Sequence, residues 1–154
     1  MFIALIIGGV ALILADKLLV NKQQDDHDSK ESITIKQALV IGLFQCLALW
    51  PGMSRSGSTI IGGLVAGKNI VTAASFSFII AVPVMIAAVG YDLLKSYQYL
   101  TIQQFGWIFL GMIISFFVAY FSMRWFLSFI QQQGLVIFGI YRIALGGIGL
   151  VLLS

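Results

Sequence analysis

Residues 51–59 read Pro-Gly-Met-Ser-Arg-Ser-Gly-Ser-Thr, a polar and cationic stretch between two apolar arms. Mostly apolar residues fill positions 38–50 before it and 60–67 after it. Each arm is shorter than the roughly 20 apolar residues that a membrane-spanning helix needs. Because proline removes a backbone donor and glycine permits a tight turn, the first arm should end at this stretch. The pattern predicts a re-entrant helical hairpin over residues 37–67.

The composition places this hairpin in a membrane protein. Of the 154 residues, 60% are hydrophobic and 10% are charged, whereas soluble domains have about 25% charged residues. The net charge of +3 is dispersed along the chain and offers no basic patch to a nucleic acid. The expected fold class is all-α, as one integral membrane domain with about four transmembrane helices and one re-entrant hairpin.

The other apolar runs are long enough to cross a bilayer. The predicted transmembrane helices cover residues 1–20, 70–94, 105–129 and 134–153, and a polar loop covers residues 21–36. Thr34 is expected to cap the helix that opens the hairpin. His27 and its neighbouring aspartates would bind a cation or simply be solvated, and the lack of fixed geometry favours solvation. We interpret the single cysteine, Cys46, as a small core residue.

The arginine of the polar stretch is the strongest functional signal. A guanidinium at membrane depth costs at least about 2.5–3.5 kcal/mol and by default marks a functional position. Arg55 offers a planar fork that grips phosphate oxygens in pairs. Hydroxyls stand beside it, on Ser54, Ser56, Ser58 and Thr59. Since the second arm begins near residue 58, its free N–H groups would face the same anion. The stretch predicts a site for phosphate or another anion, and a structural hinge or a solute pathway are the alternatives.

Two further polar side chains fall inside predicted apolar segments. Gln45 lies in the first arm of the hairpin and would either contact a ligand at the loop or bond a neighbouring helix. Arg142 lies in the last span and would either support the hairpin or bind the ligand directly. For Arg142 we favour the supporting role.

Residues 51–59 resemble the PGxSRSGxT signature of the bacterial undecaprenyl-diphosphate phosphatases, also known as bacitracin-resistance proteins. The similarity continues downstream in the same order and spacing. It includes Phe76-Ser77-Phe78, Ala81-Val82-Pro83, Asp92, Lys95 and Tyr141-Arg142. It covers essentially all of the chain after the first predicted helix.

The resemblance implies a multi-pass enzyme of the bacterial inner membrane. Such an enzyme removes the terminal phosphate from a polyprenyl diphosphate and so recycles the lipid carrier of peptidoglycan synthesis. The resemblance implies that Arg55 clamps the diphosphate, while Ser54 and Thr59 donate to its oxygens or to the leaving phosphate. It also implies a divalent cation, magnesium or calcium, with unknown ligands. The expected substrate-binding residues are Gln45, Ser56, Gly57, Ser58 and Arg142.

The resemblance covers only part of the architecture of that family. Its members are built from two inverted halves, and the first half brings a second hairpin with a glutamate-rich motif and a Ser-Ser-Thr-Gly-His segment. Here His27 lies in the polar loop, and no Glu lies in a predicted span. Since hydrolysis needs a group that activates a nucleophile, we expect a C-terminal part that requires the missing N-terminal half. A non-enzymatic transporter or anionic-lipid-binding module is the alternative, because broken helices also occur in transporters.

Overall fold

The computed structural model describes residues 2–20, 32–97 and 101–153 of the chain. Within these residues the chain forms six α-helices and no strand. The helices are α1 (Phe2–Ala15), α2 (Ile35–Cys46), α3 (Arg55–Val65), α4 (Ile70–Ser96), α5 (Ile102–Gln133) and α6 (Val136–Leu153). A π-helical turn, Asp16–Val20, extends α1, and a 3₁₀ turn, Leu47–Leu49, extends α2. The predicted all-α class is confirmed, whereas residues 21–31 of the predicted polar loop, with His27, lie outside the described residues.

Length and composition make this a polytopic membrane protein. Helical segments Phe2–Val20, Ile70–Ser96 and Ile102–Gln133 are long and apolar enough to cross a bilayer. Two shorter apolar segments, Ile35–Leu49 and Val136–Leu152, accompany them. The most apolar window of α5 is 0% buried within the protein. This exposed apolar surface is what a helix facing lipid requires.

Helices α2 and α3 pack against each other as a hairpin whose outer ends are fastened together. Thr34 caps α2, as the sequence predicts, by accepting a hydrogen bond from the Gln37 N–H. The Gln37 Nε2 donates to the Ala66 carbonyl at 3.0 Å. The Lys68 Nζ donates to the Ser32 carbonyl at 2.7 Å. These bonds hold the start of the first arm beside the end of the second.

The second arm packs on α4 through small residues. A Cβ added to Gly63 would lie 2.5 Å from the Ala73 Cβ, so the two helices approach closely there. Gly67 has a φ of +81° and ends α3, with the Lys68 N–H donating to the Gly63 carbonyl at 3.0 Å. This bond across the helix end is the one found in the Schellman motif, which favours glycine.

The first and last helices of the described chain lie side by side. A Cβ on Gly9 would lie 2.7 Å from the Gly139 carbonyl oxygen, so the backbones of α1 and α6 are in near contact. At the end of this pair, the Leu135 N–H donates to Asp16 Oδ1 at 2.6 Å. The carboxylate of Asp16 thereby satisfies a free amide at the start of α6.

Cys46 lies on the exposed side of α2, so the interpretation of this residue as part of the core is wrong. Helix α2 buries Ile41, whose Cα lies 3.1 Å from a Cβ added to Gly62 of α3. Five residues further along a helix, a side chain points about 140° away. Cys46 therefore faces away from α3.

Candidate functional site

The hairpin turns at the residues from Trp50 to Met53. The Met53 N–H donates to the Trp50 carbonyl at 3.0 Å, and Gly52 has a φ of +96°. Proline at the second position and glycine at the third are typical of a type II turn, whose third residue needs a positive φ. Pro51 and Gly52 thus end the first arm as the sequence predicts.

Ser54 starts the second arm by capping α3. Its Oγ accepts a hydrogen bond from the Gly57 N–H at 3.1 Å and lies 3.2 Å from the Ser56 Oγ. The helix consequently begins at Arg55, a few residues before the predicted position near residue 58. The amides of Arg55 and Ser56 have no intrahelical acceptor, because they belong to the first turn. The positive end of α3 therefore lies at the hairpin tip.

Arg142 reaches from α6 to the turn of the hairpin. Its Nη2 donates to the Gly52 carbonyl at 2.9 Å, and the residue is 9% exposed. The guanidinium passes over Gly8 of α1, where an added Cβ would lie 2.6 Å from Nη2. This is the contact expected of a side chain that supports the hairpin. Direct binding of a ligand by Arg142 stays a prediction.

A cavity of about 390 Å³ opens beside the turn and is called the tip cavity below. Apolar side chains of α1, α5, α6 and the hairpin form most of its wall. Its polar side chains include those of Ser54, Ser56 and Arg142, and Gly57 also lines it. The volume falls within the roughly 300–1,000 Å³ of small-molecule sites. The structure thus brings four of the residues singled out from the sequence to one space.

Arg55 does not line the tip cavity. Its side chain is half-buried at the start of α3. Within the described residues, the buried side-chain nitrogens without a hydrogen-bond partner are Arg55 Nη1 and Arg142 Nε. An unpaired buried donor on a charged group is costly, so both guanidinium groups are poised to gain from an anion.

Thr59 faces α4 and not the tip cavity. Its Oγ1 lies 3.0 Å from the carbonyl oxygens of Arg55 and Ser56, and it is hydrogen bonded with the buried Ser77 hydroxyl. This arrangement fastens the first turn of α3 to α4. Ser58 is buried on the same helix and lines a void of about 10 Å³ together with Arg142.

Gln45 lies near the end of α2, half-buried and away from the wall of the tip cavity. The structure therefore does not bring Gln45 to Ser54, Ser56 and Arg142. Its predicted contact with a ligand stays a prediction.

The described residues do not fit a metal ion. Among residues 2–20, 32–97 and 101–153, no group of three or more His, Cys, Asp or Glu side chains is placed to hold one. The wall of the tip cavity offers hydroxyls and a guanidinium, whereas magnesium and calcium prefer carboxylate and carbonyl oxygens. The divalent cation stays a prediction, and no chemical step below depends on it.

Some residues that shape the site were not singled out as functional from the sequence. Gly8 makes room for the Arg142 guanidinium, and Asp16 caps the helix that carries Arg142. Met53 lines the tip cavity at the turn. The signals that would have found the first two are a Gly-Gly pair at residues 8–9 and an acid at the end of an apolar run.

Known proteins resemble the chain over nearly its whole length. Residues 1–148 match the family described as "Bacitracin resistance protein BacA". Undecaprenyl-diphosphatase 1 of Bacillus anthracis is 48% identical over 143 residues, which cover 93% of this chain and 53% of that protein. Undecaprenyl-diphosphatase of Bacillus subtilis (strain 168) is 45% identical over 151 residues, 98% of this chain and 54% of that protein. Undecaprenyl-diphosphatase of Wolinella succinogenes is 46% identical over 143 residues, which cover 93% of this chain and 56% of that protein.

The chain spans about half the length of the curated relatives it matches. The matched residues include both arms of the hairpin, its turn and Arg142. The resemblance seen in residues 51–59 thus extends to the helices that hold them, and the chain belongs to the BacA family of bacitracin resistance proteins.

Proposed function

We propose that this chain is the headgroup-binding part of an undecaprenyl-diphosphate phosphatase of the bacterial inner membrane. The reaction is hydrolysis of undecaprenyl diphosphate to undecaprenyl phosphate and phosphate. The observation that carries the proposal is the pair of buried, unpartnered nitrogens Arg55 Nη1 and Arg142 Nε. The substrate is supported by the name undecaprenyl-diphosphatase, which the relatives share.

Arg55 is proposed to hold the diphosphate. Its guanidinium lies at the start of α3, where free amides and the helix dipole both favour negative charge. A guanidinium grips two phosphate oxygens at once and stabilises charge that develops on the leaving phosphate. Ser54 and Ser56 line the tip cavity, and their hydroxyls are proposed to donate to the remaining oxygens.

The other residues of the motif are proposed to position these groups. Thr59 bonds Ser77 and so fixes the first turn of α3 against α4. The Gly57 N–H bonds the Ser54 side chain and fixes the cap. Arg142 holds the turn through the Gly52 carbonyl. These contacts pre-organise the donors before the lipid arrives, which lowers the cost of binding.

Activation of the nucleophile is proposed to come from the rest of the longer protein. The tip cavity is lined by no carboxylate and no imidazole among the described residues. Hydrolysis requires a general base or an equivalent group. Since the relatives are about twice as long as this chain, we assign that group, and any divalent cation, to the part that this chain does not cover.

The second candidate is a module that binds anionic lipid headgroups without chemistry, as a transporter would. The same lack of a base in the wall of the tip cavity favours it. Both candidates require Arg55 for binding, and only the phosphatase releases phosphate.

Phosphate release separates the two candidates. This chain is expressed alone and joined to the N-terminal half of the Bacillus subtilis relative, and release from farnesyl diphosphate is measured in detergent. We expect release by the joined protein only. Arg55→Ala should lower it by about 10²–10³-fold, the usual cost of one donor to a developing oxyanion.

Arg124→Ala is the matched control, because Arg124 is exposed on α5 over the Tyr120 ring. The joined protein with Arg124→Ala should release phosphate at the same rate as the joined protein without a substitution. Unchanged release by Arg55→Ala would remove Arg55 from the mechanism. Arg55-dependent binding of farnesyl diphosphate without release by the joined protein would favour the binding module.

A further inference from the structure

An apolar groove of about 700 Å³ shares Met53 with the tip cavity as a lining residue. Ala4 and Ile7 of α1 form one side, and hairpin residues between Cys46 and Met53 form the other. Among the residues that the structure describes, no charged side chain lines the groove. Its large apolar side chains, such as Leu49 and Trp50, are exposed on the hairpin.

Met53 connects this groove to the tip cavity. It lines both spaces, and its Sδ lies 3.4 Å from a Cβ added to Gly8, the residue over which the Arg142 guanidinium passes. The tip cavity adds hydroxyls and a guanidinium to its apolar wall, whereas the described wall of the groove is almost entirely apolar. The spaces are arranged for a ligand with an anionic head and an apolar chain.

We propose that the groove holds the first isoprene units of the lipid whose diphosphate binds at the hairpin tip, with Met53 at the boundary between head and chain. The inference rests on the proposed function. The occupant follows from continuity, because a chain attached to a headgroup beside Ser54 and Ser56 enters the groove as it passes Met53. The unbranched, polarizable Met side chain adapts to the methyl branches of an isoprenoid.

Cys46 reports on the groove without any substitution. It lines the groove and is the only cysteine of the chain. The chain in lipid nanodiscs is treated with a membrane-permeant maleimide in the presence of farnesyl diphosphate, inorganic diphosphate or dodecyl phosphate. With farnesyl diphosphate at ten times its Kd, alkylation should be about tenfold slower, because the free fraction falls as 1/(1 + [L]/Kd).

Inorganic diphosphate should leave the alkylation rate unchanged. Equal rates with and without bound farnesyl diphosphate would overturn the proposal. Equal protection by dodecyl phosphate would assign the groove to straight acyl chains of the membrane and would overturn it as well.

Filling the groove separates the chain subsite from the headgroup site. Ile7→Trp places a large ring in the groove from an exposed position of α1 and should raise the Kd of farnesyl diphosphate by about tenfold or more, with the Kd of inorganic diphosphate unchanged. Ile3→Trp, on an exposed position of the same helix that does not line the groove, is the matched control and should change neither Kd.

An unchanged Kd for farnesyl diphosphate in Ile7→Trp would overturn the groove assignment and leave the headgroup site standing. If the unsubstituted chain binds neither farnesyl diphosphate nor inorganic diphosphate, that result would overturn the proposed function, and the groove assignment with it.

Discussion

Arg142 is the residue on which α1, α6 and the hairpin turn converge. Its guanidinium donates to the Gly52 carbonyl, and it can do so only because Gly8 leaves space above α1. A hydrogen bond from a charged group to a partly buried carbonyl has a large local effect, since losing it leaves the carbonyl unsatisfied. The position of the turn therefore depends on a single side chain from the far end of the sequence.

Replacing Arg142 should loosen the turn. Arg142→Met keeps an apolar stem of similar shape and removes the donor to Gly52, so the free energy of unfolding should fall by about 1.5–3 kcal/mol. Unfolding in mixed micelles measures it. Arg124→Met, on the exposed surface of α5, should stay within about 0.5 kcal/mol of the original protein. If Arg142→Met and Arg124→Met lower the free energy of unfolding by similar amounts, the hydrogen bond to Gly52 does not stabilise the turn.

A side chain at Gly8 is expected to displace the Arg142 guanidinium. In Gly8→Ala the new Cβ would lie 2.6 Å from Arg142 Nη2 and 3.4 Å from Met53 Sδ, so the guanidinium must move. We expect the free energy of unfolding to fall by about 1–3 kcal/mol, as in other overpacked sites. Gly42→Ala has nothing within 4 Å of its Cβ and should gain up to about 1 kcal/mol from helix propensity. The same unfolding assay compares Gly8→Ala with Gly42→Ala. Equal changes in the free energy of unfolding would contradict the close approach of the Arg142 guanidinium to Gly8.

At the scale of helices, Asp16 controls the start of α6. Asp16→Ala removes the acceptor for the Leu135 N–H and should lower the free energy of unfolding by about 0.5–2 kcal/mol. Asp16→Asn retains an acceptor oxygen and should lower the free energy of unfolding by less than Asp16→Ala does. Asp92→Ala, on the exposed end of α4, is the control. Hydrogen exchange at the first amides of α6 provides the local measurement, and exchange that Asp16→Ala leaves unchanged would show that the cap is dispensable.

Helix ends could be predicted only where the sequence itself contains the signal. Pro51 and Gly52 predicted the break, and Thr34 predicted the cap of α2, because both depend on local backbone geometry. Helix α5 is longer than the predicted span of residues 105–129, since Thr101 forms a capping box with Gln104 and the helix continues to Gly134. The side of α2 that carries Cys46 depends on which face meets α3, and the periodicity of a helix that is mostly apolar does not show that.

At the scale of the whole molecule, α5 should be surrounded by lipid. Trp107 and Trp125 are 66% and 64% exposed on this apolar helix. In bilayers, brominated acyl chains should quench either one strongly in single-tryptophan variants, while aqueous iodide should quench little, because ions do not enter hydrocarbon. The remaining tryptophans are replaced by phenylalanine. Strong quenching of both by iodide would place α5 in water.

Only the part of the candidate site that depends on local sequence could be predicted. Its motif residues are adjacent in sequence, so their clustering around Ser54 and Arg55 needed no knowledge of the packing. Arg142 and Gly8 join the site through the pairing of α1 with α6, which a sequence of apolar helices leaves open. The burial of Thr59 against Ser77 likewise follows from the packing of α3 on α4.

The pairing of α1 with α6 has a consequence for biogenesis. Residues Asp16 and Leu135 are separated by 119 positions, and at about 5–20 residues per second a ribosome needs roughly 6–24 s to synthesise that length. During this interval the glycine face of α1 has been inserted and its partner does not yet exist. That face therefore waits for α6, and the pairing of α1 with α6 is a late event among the described helices.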